Sequence, residues 1–193
     1  MIEAAEKDKN LVIEILSRSF IDNKSINFVI DNNKEKIPLL MDYCFNVGLD
    51  YGKIFLSNDK KGVIILLFPE KKKNTLKSIL RDIRLAIKGI GVKRIYEVIK
   101  REGVIKKKQP KTLFIHLWYI GVYPNHSGKG IGSKLLSEVV SYCEELEKDI
   151  YLETSTIRNI PFYQRHNFKV VNKISSELPY ELFILKRNLK KLR

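Results

Sequence analysis

The stretch Gly121-Val122-Tyr123-Pro124-Asn125-His126-Ser127-Gly128-Lys129-Gly130-Ile131-Gly132-Ser133 decides how this chain is read. Before it runs Thr112 to Val122, a β-branched and aromatic segment with almost no polar residue, which predicts a strand covered on both faces in the middle of a mixed sheet. After it runs Ile131 to Leu146, with Leu135, Leu136, Val139, Val140 and Cys143 on one helical side. Glycines at alternate positions, 128, 130 and 132, let backbone N–H groups come close to a ligand, and they do so where a helix begins. That combination is a phosphate cradle, with Lys129 as a nearby cation.

Two common phosphate loops do not fit. The nucleotide-phosphate loop needs Ser or Thr after its Gly-Lys, and here Gly130 follows Lys129. The dinucleotide fingerprint needs G-x-G-x-x-G directly off a strand. Here Ser133 or Leu135 stands at the third glycine, and Tyr123 to Ser127 intervene after the strand.

Working outward, Ile150 to Thr154 predicts a short strand and Asn159 to Arg165 a short helix, followed by strands at Phe168 to Ile174 and Tyr180 to Leu185. Upstream, Asn10 to Phe20 has helical spacing, which Ser25 to Asp31 extends in a second short turn. Ile37 to Val47 predicts a helix stopped by Gly48. Tyr51 to Ser57 and Gly62 to Phe68 form a hairpin around Asn58 to Lys61. The order is mixed α/β with hairpins at both ends, which a regular doubly wound sheet would not carry.

Charge is concentrated in one place. The chain of 193 residues has a formal charge of +14, and residues 71–111 alone carry fifteen Lys or Arg against Asp82, Glu97 and Glu102, a local +12. Leu76, Ile79, Leu80, Ile83, Ala86, Ile87 and Ile90 repeat at helical spacing there. Gly89 and Gly91 interrupt the pattern, and Ile95, Val98 and Ile99 resume it. The segment reads as two short amphipathic helices with solvated basic backs. Three readings stay open: a solvated face, a field for an anionic cofactor or acceptor, or a nucleic-acid or membrane surface. A single aromatic residue, Tyr96, counts against single-strand stacking.

Composition bounds the rest. Apolar residues make up 44% and charged residues 30%, as in soluble globular chains. The longest apolar runs, such as Val63 to Phe68, are too short to span a bilayer, and Met1 to Asn10 lacks the apolar core of a signal peptide. Cys44 and Cys143 have neither disulfide-scaffold nor metal-site spacing, so no metal is expected. A cytoplasmic single domain over residues 1–193 is the expectation.

With these residues in view, Val122-Tyr123-Pro124 followed by Ser127-Gly128-Lys129-Gly130-Ile131-Gly132 resembles the acetyl-CoA loop of the GNAT superfamily of N-acetyltransferases, with Ser127 at the usual Gln or Arg place. Leu152-Glu153-Thr154-Ser155 and Asn159 to Phe168 resemble that family's next strand and its asparagine–tyrosine helix. Asn167 replaces the usual Gly, which Asn tolerates best in left-handed backbone. The resemblance implies a GNAT fold with splayed central parallel strands, Phe114 to Val122 and Ile150 to Ser155, and a basic helical pair inserted in it.

The resemblance also implies roles. Acetyl-CoA would lie in the splay, with Ile120, Gly121 and Val122 pairing with its pantetheine arm and the Val122 N–H polarising the thioester carbonyl. Amides from Ser127 to Ser133 (Ser127, Gly128, Lys129, Gly130, Ile131, Gly132, Ser133) would hold the pyrophosphate, and Asn159 and Phe162 would contact the arm. Tyr163 matches the family's general acid. Glu153 is the candidate base, weighed against a structural ion pair. His116, in strand parity with Trp118 and Ile120, reads as core, as do both cysteines. His126 is placed at the phosphate or in solvent, and His166 is read as structural. The partner is a small primary amine, with an anionic one suiting the basic flank. Nucleic acid and membrane are disfavoured, and oligomeric state is open. The alternative is a non-catalytic CoA-sensing or nucleic-acid-contacting module on the same fold.

Overall fold

The fold is built around the apolar strand before the glycine loop. In the computed structural model, which describes residues 1–188, Phe114–Val122 forms β4, the fourth strand of a seven-stranded sheet. The other strands are β1 (Ile2–Glu3), β2 (Gly52–Leu56), β3 (Gly62–Leu67), β5 (Asp149–Thr154), β6 (Lys169–Ile174) and β7 (Leu182–Arg187). The sheet order is β1-β2-β3-β4-β5-β7-β6, and only β4 and β5 run parallel. The sheet is therefore mixed, with a hairpin at each end. The last strand in sequence, β7, lies between β5 and β6.

The helices are α1 (Lys9–Ser19), α2 (Lys24–Val29), α3 (Ile37–Tyr51), α4 (Leu76–Arg84), α5 (Ile95–Lys108), α6 (Ile131–Glu145) and α7 (Ile160–Arg165). On one face of the sheet, α1, α2 and α3 bury Val12, Ile15, Leu16, Met41 and Phe45 against Ile54, Val63 and Ile65. On the other, Leu135, Leu136 and Val139 of α6, Tyr163 of α7 and Phe168 just after it pack against Ile115, Leu117, Leu152 and Leu185. Fully burying each such side chain contributes on the order of 1.5–3 kcal/mol, so the two layers clamp β4 from both sides.

Three expectations change. Gly48 does not stop α3, which runs on to Tyr51. A Cβ at Gly48 would stand 2.9 Å from Ile65 Cγ2 and 3.0 Å from Ile54, so this glycine lets the helix lie close on the sheet. Trp118 has no counterpart on β3: Tyr119 pairs with Ile65 and Leu117 with Leu66, which makes a β-bulge. The bulge breaks the strand parity that linked His116 to Ile120, and Trp118 and Tyr119 both pack in the α1–α3 layer while Ile120 packs in the α6 layer. The third change is in the basic segment. α4 continues into a π-helical turn, Leu85–Ile90, and the break comes at Gly91 (φ 89°). Its apolar residues Leu76, Ile79, Leu80, Ile83 and Ile87 are exposed, not packed on the fold.

Candidate active site

The β4–β5 ladder stops early. Only Phe114–His116 pair with Asp149–Tyr151, and beyond the bulge the strands separate. The Tyr123 N–H donates to the Lys61 carbonyl at 3.0 Å, so by antiparallel alternation Gly121 and Tyr123 turn their backbone groups towards β3. Ile120 and Val122 then turn theirs into the gap. Gly121 has a separate part: a Cβ there would stand 2.9 Å from Ser19 Oγ, so its absence lets α1 approach. The Ser19 hydroxyl lies 2.8 Å from the Val122 carbonyl oxygen.

The loop after β4 closes on the start of α6. Gly128 (φ 78°) and Gly130 (φ 81°) take left-handed backbone that a side chain would strain, and a Cβ at either would meet nothing within 4 Å. Gly130 is the N-cap of α6, and its carbonyl accepts the first helical bond, from the Lys134 N–H at 2.9 Å. The amides of Ile131, Gly132 and Ser133 therefore have no partner inside the helix and sit at its positive end. The Ser133 hydroxyl meets His166 Nε2 at 2.9 Å, which ties the end of α7 to this helix start. Burial and the nearby Arg165 and Arg187 hold His166 below its usual range.

Gap and loop open on one cleft of about 890 Å³. Of the sequence-predicted residues, Ile120, Gly121, Val122, Ser127, Gly128, Gly130, Ile131, Gly132, Ser133, Asn159, Phe162 and Tyr163 border it, whereas Lys129 and Glu153 stand off its wall. Sequence reasoning missed the turn between α1 and α2, where Arg18, Phe20, Asn23 and Lys24 form the opposite wall. Asn23 is the signal that was available, since Asn before a helical stretch is a cap: its Oδ1 accepts from the Ile26 N–H at 3.1 Å. The Ser155 hydroxyl donates to the same oxygen at 3.4 Å, joining this turn to the end of β5. Arg158 and Arg165 add further cations to the lining, and no residue of 71–111 contributes to it. The cations that line the cleft therefore come from other residues than the basic segment.

Tyr163 is 5% exposed and lies edge-on to Phe162 and Phe168 at 5.1 and 5.9 Å. Burial pushes its hydroxyl well above the usual range, so it stays protonated. Glu153 Oε2 is 2.6 Å from Nε2 of His116, the last paired residue of β4, and Glu153 lies two residues past Tyr151, the last residue of β5 to pair with β4. Burial alone would raise the Glu153 carboxyl, but the charge and hydrogen bond of His116, with Gln109 and Arg101, hold it below the usual carboxylate range. His126 borders the cleft, and Cys44 and Cys143 are free thiols in the core. Asn167 has φ 63°, the left-handed backbone that suits Asn in place of Gly.

Residues 88–170 match the acetyltransferase (GNAT) domain family. A curated relative, an uncharacterized N-acetyltransferase of Schizosaccharomyces pombe, is 23% identical over 199 residues, spanning 93% of this chain and 80% of that protein. Among solved structures, a histone acetyltransferase and related acetyltransferase from Corynebacterium glutamicum covers all of this chain and 97% of its own, at 17% identity and TM-score 0.67. Arylalkylamine N-acetyltransferase 2 of Aedes aegypti covers 98% of both chains, at 15% identity and TM-score 0.64. Those structural likenesses establish the fold. A mixed sheet parted at one parallel pair, with a glycine cradle beside it and a domain match of this kind, defines an acyltransferase. The match to the GNAT domain family covers residues 88–170, and the chain as a whole takes the fold of these acetyltransferases.

Proposed function

We propose that residues 1–193 form one cytoplasmic N-acetyltransferase domain that moves an acetyl group from acetyl-CoA to the primary amine of a small acceptor, by direct attack in a ternary complex. The observation that carries this reading is that the unpaired β4–β5 gap, the glycine cradle and Tyr163 open on the same cleft. The residues fit the cofactor: two glycine positions leave open space where a phosphate would approach, unpaired helix amides point at it, and Arg158 and Arg165 add cations. Acetyl-CoA, when bound, supplies an acetyl group already activated as a thioester.

The chain's own residues do the rest. Amides from Ser127 to Ser133 hold the pyrophosphate, with Lys129 a cation on the same loop but off the cleft wall. Ile120 and Val122, either side of Gly121, grip the pantetheine arm through backbone groups, and the Val122 N–H donates to the acetyl carbonyl oxygen. Asn159 and Phe162 border the arm opposite. Glu153, acting with His116, takes the proton lost by the amine as the N–C bond forms, through a water because neither residue lies on the cleft wall. Tyr163 gives its proton to the sulfur as the C–S bond breaks. Arg18 and Lys24 suit an acceptor amine that also carries an anionic group.

Isothermal titration of acetyl-CoA into wild type and Gly130→Glu tests the reading. Micromolar binding that the variant loses supports it, because the new carboxylate occupies the cradle. No binding by wild type overturns it. Binding without turnover across a screen of amines would leave a CoA-binding protein in place of the proposed reaction.

A further inference from the structure

α4 is packed with its polar side inward. The Tyr43 hydroxyl donates to Asp82 Oδ1 at 2.9 Å, and Arg81 pairs with Asp50 at 2.6 Å while lying over the rings of Tyr43 and Tyr51. Ser78 is buried and shares a capping box with Thr75. The apolar side faces outward: Leu76 is 74% exposed, Leu80 58%, Ile83 49% and, in the π-helical turn, Ile87 58%. At the helical repeat, Leu76, Leu80 and Ile83 fall within an arc of about 60°, and Ile87 continues the line. A contiguous exposed apolar stripe marks an interaction surface.

Charge says what covers it. The acids of this segment are already engaged: Asp82 with Tyr43, Glu97 with Arg94, and Glu102 with Arg101. Among the described residues Lys72, Lys73, Arg84, Lys88 and Lys93 make no ion pair and remain as a free basic border. A second copy of this face would bring the same positive charge and repel it. A nucleic acid would meet the lysines but leave the leucines and isoleucines in water. A surface that is anionic at its face and apolar beneath matches both parts.

We propose that α4 and the π-helical turn after it lie on an anionic lipid surface, with Leu76, Leu80, Ile83 and Ile87 at the acyl–headgroup boundary and Lys72, Lys73, Arg84 and Lys88 on the headgroups. This is peripheral docking, as no helix among the described residues is long and apolar enough to cross a membrane. It leaves the active-site cleft open, since no residue of this segment lines it.

The test is sedimentation of the full chain with vesicles of phosphatidylcholine, with and without phosphatidylserine. Wild type sediments with the serine-containing vesicles and at least about tenfold more weakly with neutral ones. The double variant Ile83→Ser/Ile87→Ser, which alters only exposed side chains, loses about tenfold in vesicle affinity while keeping its melting temperature and acetyl-CoA binding. Lys72→Gln/Lys73→Gln weakens binding and flattens its salt dependence. No binding by wild type overturns the proposal. So does unchanged binding by the isoleucine double variant, which would leave charge alone at work. A concentration-dependent dimer that this variant abolishes would also overturn it, making the stripe a self-interface.

Discussion

Tyr163 is buried and Glu153 largely so, and both are titratable, yet their surroundings push them in opposite directions. Tyr163 has apolar rings around it, so its neutral form is favoured and its proton is available to a leaving thiolate. Tyr163→Phe keeps the ring packing and should leave acetyl-CoA affinity unchanged while lowering kcat by about 10²–10³. Steady-state kinetics beside titration separates the two effects. Glu153 has a folded value below its unfolded one. Its contribution to stability is therefore fully present above the ordinary carboxylate range, about pH 4.3, and is lost as pH falls through the lowered folded value. Melting temperature followed from pH 7 downward should drop in that acid window for wild type, and Glu153→Gln should flatten the drop. At Asn167 the backbone is already left-handed, so Asn167→Gly should be near neutral. Asn167→Val should cost about 1–2 kcal/mol in thermal melts.

At the scale of elements, the close seat of α3 on the sheet makes Gly48→Ala an overpacking change, expected to cost about 1–3 kcal/mol in denaturant titration, since its Cβ would press on Ile65 and Ile54. The sequence announced most of the elements that hold the site. The apolar run of β4, the alternating glycines and the stripe of α6 are local patterns with one physical reading each, and all three recur in the structure. What stayed hidden was relational. Periodicity shows that α4 has an apolar side but not which way that side turns. Its direction is set by Tyr43, Asp50 and Tyr51 on α3, which offer Arg81 and Asp82 better partners than water. In the same way, the far wall of the cleft is a turn between two helices whose place depends on where α1 lands. Nothing within Arg18 to Lys24 states that.

At the scale of the whole molecule, both thiols are sealed in. Cys44 and Cys143 are 0% exposed, and burial pushes each thiol up to about 12. The native chain should therefore be inert to a thiol reagent at neutral pH and release two equivalents when unfolded. Labelling at the rate of a surface cysteine would contradict this packing. The positive charge is also divided between two sites: Arg18, Lys24, Arg158 and Arg165 at the cleft, and the lysines bordering α4 elsewhere. Neutralising Lys72 and Lys73 should therefore leave acetyl-CoA affinity within about twofold of wild type, because exposed charges separated by more than about 10 Å are screened in ordinary salt.

The bulge at Trp118 stores the gap as one extra link of chain, not as a side chain. Replacing Trp118 should leave the slot in place, whatever it does to packing. Removing the residue should leave Tyr119 to Val122 on their present faces and in their present register with β3, but take out the local kink and extra twist of β4 and let β4 and β5 zip together. The site is thus tolerant of spelling and intolerant of length, and a single-residue deletion at 118 should abolish acetyl-CoA binding where a substitution does not.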